Sequence, residues 1–596
     1  MFIGRSDVLA ALVDALGEAL AGTSAVVLLE GEAGIGKTRL LEELERLAAA
    51  RLVPVVWGRA SSVEGAPPFW LWQQVLRDDG LRARGGDVAP LDELLGILAA
   101  GASGTDGPAS IDDRFLLFER VADALVTAAE PRGTVILLDD LQWADAASLL
   151  LLQHVVTHRR RARMMIGATI RSGEPSGATV GAALQHVGRS SSTRRFDLAG
   201  FDRAAVAAQL VALGHDPTAD EVEAVAHRTG GNPLFVREMG RLVQPGEALT
   251  LDRVPDAVRV VLAQRIAPVP PTSRRTIAIA SVVGTDVDVD LVRAIAGRSA
   301  EELLDDLAEA EHAGILHARP RGTVPRFVHD LMREALQDEL SARELAAIHL
   351  AIAAELDRRG GHEAAIAHHR LAALPLGDPR SAIEATLAAA RAAMTRLAFE
   401  DAAALFGRGL ASSAASTLSA AEQCGALVDQ GTSLLHAHDL EAAIDVCARA
   451  ATLARASADV TGLARAALAL QDVSEPRWLA QIDPWLTEAL DALPPDDSSM
   501  RAQLLATLSV SRVLQELPGG TRRASRRQRW PRASTTWPRC CPRTTAGSWR
   551  CRARTTLKTG SSSASGCWTS ARRGVSTRRW CGAISGGSTR CSSSDG

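Results

Sequence analysis

Lysine is nearly missing from this chain. Among 596 residues it occurs only as Lys37 and Lys558, and arginine supplies the rest of the 66 basic residues. Tyrosine is absent and aromatics make up 4%, so no site can draw on a tyrosine hydroxyl. No apolar run approaches the roughly 18 residues of a membrane span. The opening Met-Phe-Ile-Gly-Arg-Ser-Asp lacks a basic region leading into a long apolar stretch, which argues against a signal peptide. The expected location is the cytoplasm. Cysteine is scarce, with eight residues, six of them in the final stretch (Cys540, Cys541, Cys551, Cys567, Cys581, Cys591). The other two, Cys424 and Cys447, sit in helical patterns and read as inert core residues.

What is present divides unevenly. The length exceeds a single core and predicts roughly three to five domains. The net charge of −4 conceals a tail over 521–596 with 16 Arg and one Lys against Asp595 alone, net +16, and a remainder at −20. Alanine, leucine and arginine dominate the body, as expected of helix encoded by a GC-rich gene.

The one lysine of the body lies in Gly31-Glu32-Ala33-Gly34-Ile35-Gly36-Lys37-Thr38, a full G-x-x-x-x-G-K-[ST] loop. The apolar run Ala25-Val-Val-Leu-Leu-Glu30 precedes it, and a segment of helical periodicity from Thr38 follows. Strand, glycine loop and helix are the context a phosphate loop requires. Gly31, Gly34 and Gly36 let backbone N–H groups cradle phosphates, and the helix N-terminus adds its dipole. Lysine is a compact charge on a flexible stem, whereas arginine is a wide planar fork, so a chain that otherwise uses arginine keeps lysine here. Thr38 would place its hydroxyl on Mg²⁺. Downstream, Thr134-Val-Ile-Leu-Leu138-Asp139-Asp140 reads as a buried strand ending in two carboxylates. Alone, such an ending is commonly a solvated turn. Paired with the loop, it reads as the second half of an ATP·Mg²⁺ site, with Asp139 in the metal shell and Asp140 orienting or activating water.

The segment Leu137-Leu-Asp-Asp-Leu-Gln-Trp-Ala-Asp-Ala-Ala-Ser-Leu149 resembles the Walker B region of bacterial STAND-class, AAA-like signalling ATPases, in particular the ATPase module of large LuxR-type transcriptional regulators. The same module occurs beside class III adenylate/guanylate cyclases. Further segments are similar: Phe2-Ile-Gly4-Arg5, Val56-Trp-Gly-Arg59, Pro67-Pro-Phe-Trp70 and Met165-Ile-Gly-Ala-Thr169-Ile170-Arg171. The resemblance implies that Arg5 lies near the base and Arg171 near the γ-phosphate. It implies a helical lid over 191–249 that presses Asn232-Pro233 toward the nucleotide. It also implies a winged-helix domain over 250–345, regulatory and not DNA-reading, in which His329 contacts the β-phosphate of ADP. The expected architecture is therefore multidomain: an α/β P-loop NTPase with a parallel sheet over 1–190, the all-α lid, the winged helix, and a TPR-like helical-hairpin array over 346–520. In that array Phe399-Glu-Asp-Ala402 and Leu440-Glu-Ala-Ala443 align at an offset of 41 residues, and a further step lands at Gln481.

These features predict an ATP-binding switch with slow Mg²⁺-dependent hydrolysis. An inducer, small molecule or protein, would bind the array, and self-association would accompany ATP binding. No membrane partner is expected. The family's C-terminal helix-turn-helix has no counterpart here, so DNA contact would need a domain missing from this chain. A cyclase-associated module and a non-hydrolysing scaffold are the alternatives.

The tail departs from all of this. Leu557, Val575 and Ile584 are its only Leu, Ile or Val. Interspersed Trp and Arg could bind nucleic acid, but Cys540-Cys541 and the scattered remainder lack paired C-x₂-C spacing, and there is no histidine to complete a zinc site. The composition favours a frameshifted product of a GC-rich gene and predicts disorder.

Overall fold

The structure, a computed structural model, describes residues 2–516 except 62–64, 79–80, 82–88, 101–110, 159–160, 173–177, 243–264, 318–323, 329 and 496–497. The tail over 521–596 and His329 therefore lie outside the described residues.

The first part runs α1 (Ser6–Leu20), β1 (Ala25–Gly31), α2 (Lys37–Ala49), β2 (Val55–Arg59), α3 (Trp70–Arg77), α4 (Ala89–Ala100), α5 (Ile111–Ala129), β3 (Thr134–Asp139), α6 (Ala146–His158), β4 (Met164–Arg171), α7 (Ala178–Arg189) and β5 (Thr193–Leu198). Its five strands form one parallel sheet in the order β2-β3-β4-β1-β5. Composition explains the order. β1, β3 and β4 are near-continuous apolar runs and occupy the interior positions, buried on both faces. β2 buries only alternate residues, and β5, Thr-Arg-Arg-Phe-Asp-Leu, is the polar strand; these two take the edges. This is the P-loop NTPase fold. Inserting β4 between β1 and β3 places its carboxyl end between the glycine loop and Asp139.

The segment expected to form the lid holds α8 (Arg203–Ala212), α9 (Ala219–Thr229) and α10 (Pro233–Leu242). Asp202 caps α8, and Thr218 with Glu221 forms a capping box on α9. Val206, Leu210, Val222, Val225, Val236 and Met239 form its small core. Next come α11 (Pro271–Val283), α12 (Val289–Ala296), α13 (Ala300–His312) and α14 (Asp330–Asp338). Short antiparallel bridges, Asp286 to Arg326 and Leu316 to Phe327, join the segments between these helices. Phe327, Ile277, Leu303 and Met332 share their core.

The array consists of α15 (Ala342–Arg359), α16 (Glu363–Ala372), α17 (Pro379–Thr395), α18 (Phe399–Ala411), α19 (Ala420–His436), α20 (Leu440–Ala456), α21 (Val460–Leu468), α22 (Pro476–Ala492) and α23 (Ser499–Glu516). Leu397 and His438 both adopt a left-handed conformation two residues before α18 and α20 begin. The 41-residue offset thus corresponds to a repeated turn. The next step fails: Gln481 falls inside α22, and the turn recurs sooner, at Ala458. Cys424 and Cys447 are buried free thiols. Burial pushes Cys447 up to about 12, which leaves it inert at neutral pH.

The array packs on the first part through one continuous core in which Val121, Leu149 and Leu152 meet Ile383, Phe399 and Phe406. Charged groups line the same junction. Arg114 binds both carboxylate oxygens of Glu400 at 2.9 Å and lies over the ring of Phe399. Asp401 accepts hydrogen bonds from the backbone N–H groups of Ala146 (3.1 Å) and Ala147 (3.3 Å), and so caps α6 from another domain. Beside it, Asp145 accepts from Phe69 N and from Ser148 N and Oγ. Burial, and then the charge of Asp145, push Asp401 up to about 8. Burial raises Asp145 as well.

A carboxyl whose pKa is raised on docking binds its proton more tightly when docked. Its contribution is complete below the ordinary carboxylate range and is lost as pH rises through about 8. Hydrogen exchange of Ala146 and Ala147 amides should therefore be slow at pH 6 and accelerate between pH 7 and 9, beyond the intrinsic increase. Asp401→Asn should flatten that excess.

Candidate functional site

The loop between β1 and α2 is shaped by its glycines. Gly34 has φ +78°, and an added Cβ would lie 2.7 Å from Leu234 Cδ2. Gly36 has φ +98°, and an added Cβ there would meet no atom within 4 Å. One glycine is needed because the lid packs against the loop, the other because the backbone turns left-handed beside open space. Gly31, at the end of β1, lies against Ile35 and Leu198. Lys37 is buried at 7% exposure, and its Nζ donates to the carbonyls of Gly31 (2.8 Å) and Glu32 (2.9 Å). The ammonium thus curls back over its own loop.

At the sheet's carboxyl end a chain of hydrogen bonds joins three elements. The hydroxyls of Thr38 (3.1 Å) and Thr169 (2.7 Å) both donate to Asp139 Oδ1. Thr169 Oγ in turn accepts from Asp140 N at 2.7 Å. Asp139 is fully buried, and its Oδ2 has no hydrogen-bond partner among the described residues. An orphaned buried carboxylate oxygen beside a threonine hydroxyl is the hard-oxygen donor set that Mg²⁺ takes, so Thr38 and Asp139 fit that ion. Asp140 adopts a left-handed conformation, φ +59°, and accepts from Gln142 Nε2 at 3.0 Å. Gln142 Oε1 accepts from the backbone N of Arg171 at 3.0 Å, tying the ends of β3 and β4 together.

A cavity of about 560 Å³ opens over this loop, within the usual range for small-molecule sites. Gly34, Gly36, Lys37, Thr38, Asp140 and Arg171 line it. The lid contributes Pro233 and Arg237, and the segment joined by the antiparallel bridges contributes His317 and Arg326. Among the described residues, seven basic side chains (Lys37 and Arg5, Arg39, Arg59, Arg171, Arg237, Arg326) face two acidic ones, Glu42 and Asp140. That excess suits a polyanion.

Arg5 lines the cavity, but its guanidinium also donates to the carbonyls of Ile35 (3.0 Å) and Ala199 (2.6 Å) and lies over Phe201. It spans the phosphate loop and the entrance to the lid. Asn232 donates from Nδ2 to Ala33 O at 2.9 Å, and Leu234 N donates to Gly34 O; the lid thereby touches the phosphate loop beside Pro233. His329 lies outside the described residues. Sequence reasoning did not select Thr169 as a site residue, although it stands in the quoted strand, and it missed Gln142 and Arg326. Gln142 is three residues beyond Asp139, and Arg326 is three before His329.

The position of Lys37 gives a test. Its ammonium reaches two loop carbonyls in a nearly closed space, which a planar fork cannot copy. Lys37→Arg should lower affinity for a fluorescent ATP analogue by more than about tenfold, or ~1.4 kcal/mol, despite the retained charge.

Comparison with known proteins agrees with this site. The AAA ATPase domain family model matches residues 1–166. A curated relative, an uncharacterized protein of Rhizobium meliloti (strain 1021), is 26% identical over 372 residues, 55% of this chain and 34% of the relative; the chain thus spans about a third of that protein's length. Among solved structures, a STAND protein with a tetratricopeptide repeat sensor from Pyrococcus horikoshii aligns at 15% identity and TM-score 0.42, covering 86% of this chain and 74% of that one. A Thermotoga maritima RuvB variant aligns at 18% identity and TM-score 0.26, over 57% and 97%. The phosphate loop, β3 and Asp139 all fall within the segment that matches the AAA ATPase domain model.

Proposed function

We propose that this chain is an ATP-dependent signalling switch of the STAND type, the regulatory part of a LuxR-type transcriptional regulator. The observation that carries the reading is the composition of the cavity wall. The phosphate loop, the lid and the segment holding His317 and Arg326 all face one basic space. A bound nucleotide would touch all three, so its phosphates bear on how the three are arranged.

Lys37 would neutralise the β- and γ-phosphates, and Arg171 would face the γ-phosphate from the end of β4. Thr38 and Asp139 would hold Mg²⁺, which when bound offsets phosphate charge and orients the terminal phosphoryl group. Asp140, steadied by Gln142 and by Thr169 through its backbone N–H, would orient water for slow hydrolysis that resets the switch. His329 is proposed to sense the β-phosphate of ADP. An inducer would bind the array, and ATP binding would favour self-association. Contact with DNA would belong to a separate helix-turn-helix domain. No helix among the described residues is long and apolar enough to cross a membrane.

The array's cap on α6, seven residues beyond Asp139, supplies a route between ligand and sensor. Hydrogen exchange at Ala146 and Ala147 should differ between the ATP·Mg²⁺ and ADP states, with faster exchange in ATP·Mg²⁺. Lys37→Ala should bind neither nucleotide and show no difference. Wild-type protein that binds no adenine nucleotide, or that exchanges identically in both states, would sink the proposal.

A further inference from the structure

Three imidazoles meet on the first hairpin of the array. His349 lies on α15, and His368 and His369 lie on α16. Nδ1 of His349 is 2.8 Å from Nδ1 of His369. The ring centroids of His349 and His369 are 5.0 Å apart, those of His368 and His369 5.0 Å, and those of His349 and His368 5.7 Å. One ring nitrogen from each residue lies within 4.8 Å of the other two. His369 is buried, while His349 and His368 are half-buried, so the group has a path to solvent. Burial lowers His349 to about 4 and His369 to about 3.

We infer that His349, His368 and His369 form a binding site for a divalent transition metal of the zinc class, with a fourth position open to water or another ligand. Imidazole nitrogens suit such ions, and three of them with an open position is an established ligand set. Zinc–nitrogen bonds of about 2.0–2.1 Å at tetrahedral angles place neighbouring nitrogens roughly 3.3 Å apart. The His349–His369 contact needs to open by only about half an ångström to reach that spacing, and the 4.8 Å limit lets His368 close on the same ion by rotamer adjustment. The site also has a neighbour in the ATPase domain. Gly65, φ +103°, sits so close to α16 that an added Cβ would lie 2.8 Å from Ala365 Cα and 3.0 Å from His368 Cβ. An ion that joins α15 to α16 would therefore stiffen the surface on which the segment after β2 rests.

A second histidine group, Glu119, His154 and His158 on α5 and α6, serves as an internal control. There His154 Nε2 already bonds Glu119 Oε1 at 2.7 Å. The test uses the full chain, metal-stripped and with its thiols alkylated so that cysteine ligands are excluded. Zn²⁺ is titrated calorimetrically, and Co²⁺ is followed by its visible ligand-field spectrum. One equivalent per chain is expected, with a Co²⁺ spectrum of tetrahedral nitrogen and oxygen ligation. His349→Ala and His368→Ala should each weaken binding by more than about tenfold, while His154→Ala leaves it unchanged. His368 is half-exposed, so its variant keeps the test valid if His349→Ala misfolds, and circular dichroism of the apo forms reports that directly. Absence of a bound equivalent, its persistence in both variants, or its loss in His154→Ala alone would overturn the assignment and leave the contact as a structural histidine pair.

Discussion

Everything near the candidate nucleotide cavity depends on where Asp139 is held. Two hydroxyls, Thr38 from the phosphate loop and Thr169 from β4, converge on one of its oxygens and leave the other orphaned and fully buried. A buried charge without partners is expensive, so this arrangement is stable only where a cation completes it or the two hydroxyls compensate. The strand order makes it possible. With β4 inserted between β1 and β3, Thr169 pairs with Leu29 of β1 on one side, and its hydroxyl reaches Asp139 at the end of β3 on the other. A direct β1–β3 pairing would leave no room for that hydroxyl.

From this anchor a single short segment runs outward. Asp140 lines the cavity beside the buried Asp139, Leu141–Trp143 form one tight turn, and Asp145 begins the cap of α6, to which Asp401 of the array adds a second acceptor. The same ten residues therefore border both the candidate ligand and the candidate sensor. Burial raises both Asp145 and Asp401, and the charge of Asp145 raises Asp401 further. One shared proton relieves the repulsion. The array is thus fixed by an interaction that a small displacement of α6 would disturb, because the two carboxyl groups rely on the N–H groups they face.

How much of this the sequence discloses depends on how local each constraint is. The phosphate loop is legible because its chemistry needs consecutive residues, and β1, β3 and β4 are legible because interior parallel strands are continuously apolar. Thr169 and Gln142 gain their roles only when β4 slides between its neighbours, which no local pattern records. Asp401 is harder still. In the sequence it is an acid in the first turn of a helix, the ordinary complement to a helix dipole. Its counterpart 41 residues on is Ala442, and Glu441, the counterpart of Glu400, is exposed. Only the docked repeat carries a buried acid pair, so the repeat pattern, read as a pattern, hides the residues that make that repeat different. The failure of the third step at Gln481 has a similar origin. The period is set by turn residues such as Leu397, His438 and Ala458, and the interval from His438 to Ala458 is about half the interval from Leu397 to His438.

The distribution of positive charge completes the argument about the cavity. Arginine serves wherever the chain needs a fork: Arg114 on Glu400, Arg5 on two carbonyls of different domains, Arg298 on Asp306. Each of these positions uses a planar group that makes several hydrogen bonds at fixed angles. Lys37 stands where the requirement is the opposite. Its ammonium now bonds to Gly31 and Glu32 carbonyls in the loop, and a phosphate arriving over Gly36 must draw it away from both. A point charge on a flexible stem can make that exchange by rotation about its own bonds, while the loop backbone stays in place. A fork fixed on two carbonyls would have to break a planar pair and find room to turn, in a space bounded by Leu234 and the lid. The absence of any other lysine from the body is therefore consistent with a chain that keeps arginine for clamps and fixed anion contacts and lysine for the one cation that has to move.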